Sequence, residues 1–314
     1  MKPLKFDEIF GNWATLLLAT AKDGTVSFSK LSDEIDVLIA SRPNGIYSNG
    51  TAGEFYSQTE DEFDRISELL AQKCEKAAVP FQLGVSHMSP QTSLERLKRI
   101  RHLKPGAVQV VLPDWFPVTP EEAVIFLQKM ESEAEGINLI LYNPPHAKRN
   151  LNPGEWSALK QQIPSLEGLK VFDQNADPVW YEEVRKNNKG LSVFIPGHRL
   201  ITGIRSGAHG AYSNMACLNP VAAQKWFNLA ETDPEAALEL EGRVNLFMSR
   251  LIAPFITVSH YPNHACDRFM ALMGGWADVG ENLRWPYRSI PADYAGPVRE
   301  EAVKIIPEFF ENSL

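Results

Sequence analysis

From the N-terminus to about residue 215 the chain alternates between two hydrophobic patterns. Short apolar or β-branched runs recur, and between them lie longer segments whose apolar residues return every three or four positions. The short runs suit strands buried on both faces, and the longer ones suit helices with one buried stripe. The runs are 14–20, 45–48, 81–85, 107–112, 138–142, 168–172, 191–195 and 208–213, eight in all. Helix starts are written between them. Thr59-x-x-Glu62 precedes a segment to Ala77 with Phe63, Ile66, Leu69 and Leu70 on one face, a capping-box pattern. Thr119-Pro120-Glu121-Glu122 places proline in the first turn, and Pro153-Gly154-Glu155-Trp156 opens a further helix. Strand and helix in strict alternation predict a parallel sheet with crossover helices. Eight strands in about 215 residues fit a closed (β/α)₈ barrel, of the α/β class, better than a doubly wound sheet. No glycine-rich dinucleotide turn or phosphate loop follows the first strand.

Beyond Leu218 the strand runs stop and helical periodicity continues over 220–230, 234–251, 264–273 and 298–310. The reading is a barrel over 1–218 and a C-terminal α-helical region over 219–314. No repeat, low-complexity tract or Ser/Gly linker divides them, so the helices are expected to pack on the barrel.

Composition narrows the function classes. The 314 residues carry a formal charge of −8 with no dense basic stripe, which speaks against a nucleic-acid partner. Three dispersed cysteines, Cys74, Cys217 and Cys266, make neither a disulfide framework nor a paired metal knuckle. Acidic residues stand where a signal peptide needs an apolar core, and no run approaches the ~20 apolar residues of a membrane span. The expectation is a cytoplasmic protein acting on a small molecule, with no membrane partner.

In such barrels the chemistry gathers at the C-terminal ends of the strands. Lys170 lies in the apolar run Gly168-Leu169-Lys170-Val171-Phe172. Burial there disfavours the ammonium and leaves more neutral amine to attack a carbonyl, although a strand-end lysine can also snorkel to solvent. Tyr142 ends its run before Pro144 and Pro145, which stiffen the following turn, and its phenol can shuttle protons or simply belong to the core. Gly50-Thr51-Ala52-Gly53 is a turn of small residues whose backbone N–H groups can converge on an anion.

Taken together, these segments resemble a known family. Gly50-Thr51-Ala52-Gly53-Glu54 is similar to a G-[TS]-T-G-E signature, Tyr142-Asn143-Pro144-Pro145 to Y-N-x-P, and Gly168-Leu169-Lys170 to G-[IL]-K. These are motifs of the dihydrodipicolinate synthase/N-acetylneuraminate lyase family, and their order and spacing match. The resemblance extends to Gly197, to Gly207-Ala208-His209-Gly210 and to the helical C-terminal part. It implies that Lys170 forms an imine with a 2-oxo acid, that Tyr142 moves protons, and that the Thr51-Ala52 backbone binds the carboxylate with the Thr51 hydroxyl linked to Tyr142. No cofactor is needed beyond that imine. The iminium is an electron sink, so aldol cleavage, aldol addition and dehydration all become accessible.

Departures from the family pattern bear on the substrate. Ala52 replaces a second hydroxyl residue, removing one hydrogen bond of roughly 0.5–1.5 kcal/mol. After the fourth strand a tyrosine pair gives way to Pro113-Asp114-Trp115-Phe116, and an indole N–H cannot relay a proton as a phenol does. The arginine that binds aspartate semialdehyde falls near Ala147, with Lys148 and Arg149 just beyond. Both changes argue against dihydrodipicolinate synthesis. In Gly197-His198-Arg199-Leu200 an acidic sugar-binding pair is lost, which argues against N-acetylneuraminate cleavage and offers Arg199 for an anionic distal group. Tyr212 and Trp115 suggest a partly aromatic pocket. His260-x-x-x-His264 has helical ligand spacing, but Pro262 intervenes and no zinc-binding signature completes it. His209 reads as structural.

The expected activity is therefore a pyruvate-dependent lyase of the aldolase kind. A dehydratase of a 2-oxo-3-deoxy acid and a non-catalytic 2-oxo acid binder are the alternatives. Trp115 and Phe116 fall where the family builds its tight dimer contact, so a homodimer or homotetramer is expected.

Overall fold

A computed structural model describes residues 1–311. Eight strands, β1 Gly11–Thr15, β2 Gly45–Ser48, β3 Phe81–Gly84, β4 Ala107–Val111, β5 Asn138–Asn143, β6 Leu166–Val171, β7 Ser192–Phe194 and β8 Gly210–Ser213, close into a barrel in sequence order. Every neighbouring pair is parallel, including β1 with β8. The outer helices are α1 Phe28–Ala40, α2 Glu60–Ala77, α3 Pro90–Ile100, α4 Pro120–Glu133, α5 Pro153–Gln162, α6 Pro178–Asn187 and α7 Leu200–Ser206. After β8 come α8 Asn214–Leu218, α9 Pro220–Thr232, α10 Pro234–Phe247, α11 Ala253–Thr257, α12 Asn263–Gly274 and α13 Ala295–Ile305. The expected (β/α)₈ barrel with added C-terminal helices is what the chain forms.

The helices begin where their caps dictate. Thr59 with Glu62, Thr119 with Glu122, and Asn152 with Glu155 each form a reciprocal capping box, satisfying two backbone donors that the first turn leaves open. The helix α9 packs against β1 and α7, and Gln224 in it accepts a hydrogen bond from Asn12 of β1 at 3.0 Å. The eighth outer helix thus lies beyond residue 218, in the stretch read from sequence as the helical extension.

The expected first strand, 14–20, is displaced: the ladder occupies 11–15 and its continuation leaves the sheet. The reason is what lies above it. Leu17 packs with Cys217, Ala271 and Val279, its N–H donates to Glu34 at 2.7 Å, and the Leu18 carbonyl accepts from Arg268. A wholly apolar run does not distinguish a strand from a segment buried under helices, and here the second partner wins for Leu16–Ala19.

Inside the barrel Trp13, Tyr47, Ala107, Ile140, Phe194 and Tyr212 form one packed layer, with Leu4 and Ile9 beneath. Leu4 and Ile9 plug the N-terminal end: Asn138 donates to the Leu4 carbonyl at 2.7 Å and Ser192 to that of Ile9 at 2.6 Å. Leu4 and Ile9 thus close the barrel at the end where the strands begin.

Candidate active site

Tyr142 and Lys170 are direct partners in the β5–β6 ladder, so their side chains leave the sheet on the same face. The Lys170 amine stands 4.3 Å from the Tyr142 ring centroid, 5.2 Å from that of Tyr212 and 5.6 Å from that of Tyr47. Three aromatic faces thus surround it. Among the described residues no carboxylate lies within ion-pairing distance of it. Removal from water lowers its pKa from the ordinary 10.5 to about 8, against a smaller upward pull from the carboxylate of Asp267. The amine is therefore nucleophilic at a pH where an exposed lysine is almost wholly protonated. Burial raises the Tyr142 pKa, and the Thr51 hydroxyl beside it pulls the other way. Tyr142 is thus a neutral phenol able to hand a proton to a carbinolamine oxygen.

The two interior tyrosines are fixed from below. Tyr47 donates to Gln109 and Tyr212 to Gln82, which holds both rings upright against the amine. Desolvation raises the pKa of each phenol, keeping both neutral.

The turn after β2 is shaped to receive an anion. Asn49 and Glu54 both adopt left-handed backbone conformations, with φ of 55° and 52°. Between them, among the described residues, neither the Thr51 nor the Ala52 N–H donates to another protein group. Gly50 has to be glycine, because a Cβ there would run into the Tyr47 ring. Gln58 holds the turn from outside, donating to the Gly53 carbonyl at 2.7 Å and to Asn49 at 3.2 Å. Glu54 anchors its end: wholly buried, it accepts from Arg268 at 2.7 Å and from the Arg284 N–H at 2.8 Å. The turn is thereby tied to α12 and to the segment after it.

The structure brings Thr51, Tyr142, Lys170 and Tyr212 together, with Ala52 next to Thr51, while Arg199 and Trp115 have partners of their own. Arg199 is engaged by Asp173, which accepts from its Nε at 2.8 Å and again from its terminal nitrogen, while Tyr181 donates to the same carboxylate at 3.3 Å. Its guanidinium is spent on an internal partner, so the expected free cation for an anionic distal group is not present. His198 pairs with Asn214, and burial lowers its pKa to about 4, leaving it neutral. Trp115 is 74 % exposed at the rim, held by Lys148, which donates to its carbonyl at 2.8 Å and lies over its ring. Arg149 pairs with Glu155. His264 is buried in α12, packed on the rings of Tyr56 and Tyr287 at 5.3 and 5.0 Å.

The chain matches the model of the dihydrodipicolinate synthetase family over residues 9–298. It belongs to that family. Similar family members include the N-acetylneuraminate lyase of Gallus gallus, 25% identical over 67% of this chain and 70% of that protein. The trans-O-hydroxybenzylidenepyruvate hydratase-aldolase of Sphingobium xenophagum is also 25% identical, over 94% of this chain and 92% of its own. In fold, the chain superposes on YagE, a prophage protein of the dihydrodipicolinic acid synthase family from E. coli K12 solved in complex with pyruvate. The TM-score is 0.81 at 15% identity, covering 95% of this chain and 98% of that one. No helix among the described residues is long and apolar enough to cross a membrane.

Two residues of this site escaped the sequence reading. Tyr47 hides in a four-residue strand, where it reads as core. Asp267 arrives from α12, nearly a hundred residues after Lys170, inside a helix whose pattern shows only amphipathic packing. A carboxylate among His264, Ala265, Cys266, Phe269 and Met270 was the available signal, since an acid in a buried stretch needs a reason.

Proposed function

We propose that this family member is a Schiff-base lyase that cleaves or forms a carbon–carbon bond between pyruvate and an aldehyde through an imine on Lys170. The observation that carries the reading is the amine within the three tyrosine rings, beside its ladder partner Tyr142 and without a carboxylate on it. Its neutral form attacks C2 of the 2-oxo acid. Tyr142 protonates the carbinolamine oxygen, water leaves, and an iminium remains. The Thr51 and Ala52 N–H groups receive the substrate carboxylate, which fixes C2 over the amine. Breaking the bond between C3 and C4 then sends its electron pair into the iminium nitrogen and releases the aldehyde.

The same geometry argues about the aldehyde. The Arg199 guanidinium is paired with Asp173 rather than free for a distal anion, whereas Tyr212, Tyr47, Tyr56 and Tyr287 offer rings. An aromatic or other uncharged aldehyde fits this mouth better than a carboxylated one. That several relatives bear lyase names, one of them a hydratase-aldolase of a benzylidenepyruvate, supports the reading. The deciding experiment is borohydride reduction in the presence of pyruvate. The expected result is a covalent adduct mapped by mass spectrometry to Lys170; no adduct at saturating pyruvate, or an adduct on another lysine, overturns it.

Trp115 and Phe116, 74 % and 78 % exposed, are large apolar side chains on the rim loop. Their burial between copies of the chain is the basis for proposing a homodimer or homotetramer, which light scattering at micromolar concentration tests.

A further inference from the structure

The corner of the barrel mouth under α12 holds polar groups that the imine chemistry above does not use. Asp267 is 9 % exposed, and among the described residues no hydrogen bond or ion pair engages its carboxylate. Its neighbour in the helix, Arg268, is turned away to Glu54 and to the carbonyls of Leu18 and Val279. Its charge reaches Lys170 on β6, Tyr142 on β5, Tyr56 in the turn after β2, Cys217 on α8 and Cys266 beside it. One turn earlier on the same helix the buried His264 Nε2 also lacks a partner, as does the buried Tyr56 hydroxyl, whose ring packs on that imidazole at 5.3 Å. Buried polar groups are normally satisfied, and two unsatisfied ones beside the unpartnered Asp267 carboxylate mark a place where a polar ligand group belongs.

We propose that Asp267 is a catalytic residue for the distal half of the reaction, accepting the proton of the 4-hydroxyl group of the imine-bound substrate. This rests on the Schiff-base reading of Lys170 and extends it to the aldehyde end. The step balances. The O–H proton passes to the Asp267 carboxylate, the oxygen electron pair becomes the aldehyde C=O, the C3–C4 bond breaks, and its electrons neutralise the iminium as an enamine. Protonation of C3 and hydrolysis of the renewed iminium return the 2-oxo acid and the free amine. Asp267, raised by burial to about 6, is ionised at neutral pH and still basic enough to take the proton.

The test compares two reactions of the whole enzyme across about pH 5 to 9: borohydride trapping of pyruvate, and release of pyruvate from an aromatic 4-hydroxy-2-oxo acid. In the wild type, trapping needs only the neutral Lys170 amine, so its logarithm falls with a slope of one below about 8. Cleavage needs the Asp267 carboxylate as well, so log kcat/KM steepens to a slope of two below about 6. Asp267→Asn should lower kcat for cleavage by roughly 10²–10⁴-fold with KM little changed, remove the steeper limb, and retain trapping. The trapping profile of that variant should move to lower pH, because the lost charge favoured the ammonium. Unchanged cleavage, or equal loss of cleavage and trapping, overturns the assignment. Should the variant not fold, a wild-type cleavage profile with a single slope overturns it by itself. Failure of the wild type to trap pyruvate strikes the Schiff-base reading instead.

Discussion

Two cations at the same end of the barrel, Arg268 buried and Lys170 half-buried, have opposite surroundings. Arg268, 2 % exposed, donates to Glu54 and to the carbonyls of Leu18, Val279 and Gly280. Lys170 meets three tyrosine rings and no carboxylate within ion-pairing distance among the described residues. A buried guanidinium, which never loses its proton, needs a counter-charge, and Glu54 supplies it. An amine has a second option, to give up its proton, and the apolar surroundings of Lys170 push it that way. A carboxylate partner therefore goes with the cation that stays charged, and want of one among the described residues goes with the amine that can give up its proton. The Arg268–Glu54 pair ties the turn after β2 to α12.

The largest expected effect falls on the unpaired side. Lys170→Ala should abolish borohydride trapping while leaving the melting temperature near wild type, because it removes a desolvated amine that no ion pair uses. In the wild type, trapping should rise about tenfold per pH unit up to about 8 and then level. A rise that continues to the ordinary lysine pKa would break the comparison, since Lys170 would then be as solvated as a surface lysine.

On the paired side the expected loss is in stability. Glu54→Gln keeps the shape but leaves the Arg268 guanidinium buried opposite a neutral amide, which should cost roughly 3–5 kcal/mol in a denaturant titration. Loosening of the turn should also raise the KM for the 2-oxo acid, with the Lys170 adduct still forming at saturation. A loss below about 1 kcal/mol would show that water reaches the pair and that the turn is held by Gln58 instead.

The same contrast explains how much of the molecule was legible in the sequence. Lys170, Tyr142 and the 50–54 turn stand at strand ends, where apolar runs stop and the barrel geometry fixes direction, so position makes them candidates and the motif resemblance gives them roles. Arg199 also stands near a strand end, yet its availability depended on Asp173, which lies just past β6 and approaches only after folding. A sequence shows that a charge is present and not what will neutralise it. The displaced first strand follows the same logic, since Leu16–Ala19 reads as strand until the C-terminal helices supply its cover. Asp267 is the hardest case: the helix that carries it has no catalytic spacing, and only tertiary packing brings it to the amine.

The smallest expected effect on activity concerns Arg199. Its guanidinium is bound by Asp173 in a two-point pair, and Asp173 is wholly buried and held also by Tyr181. If the pair is structural, Arg199→Ala should change cleavage and trapping by less than about threefold, while costing stability because a buried carboxylate loses its counter-charge. Asp173→Asn should cost stability in turn by stranding the guanidinium. The double variant then discriminates. With both charges gone nothing is left unpaired, so its loss should fall short of the sum of the single losses by roughly 0.5–3 kcal/mol in a double-mutant cycle. Additive losses would show that the two side chains do not depend on one another, and a cleavage rate that falls only in the arginine variant would return Arg199 to the substrate. The sub-additive result would place Arg199 with Arg268 among the carboxylate-paired cations and leave Lys170 as the amine without such a partner among the described residues.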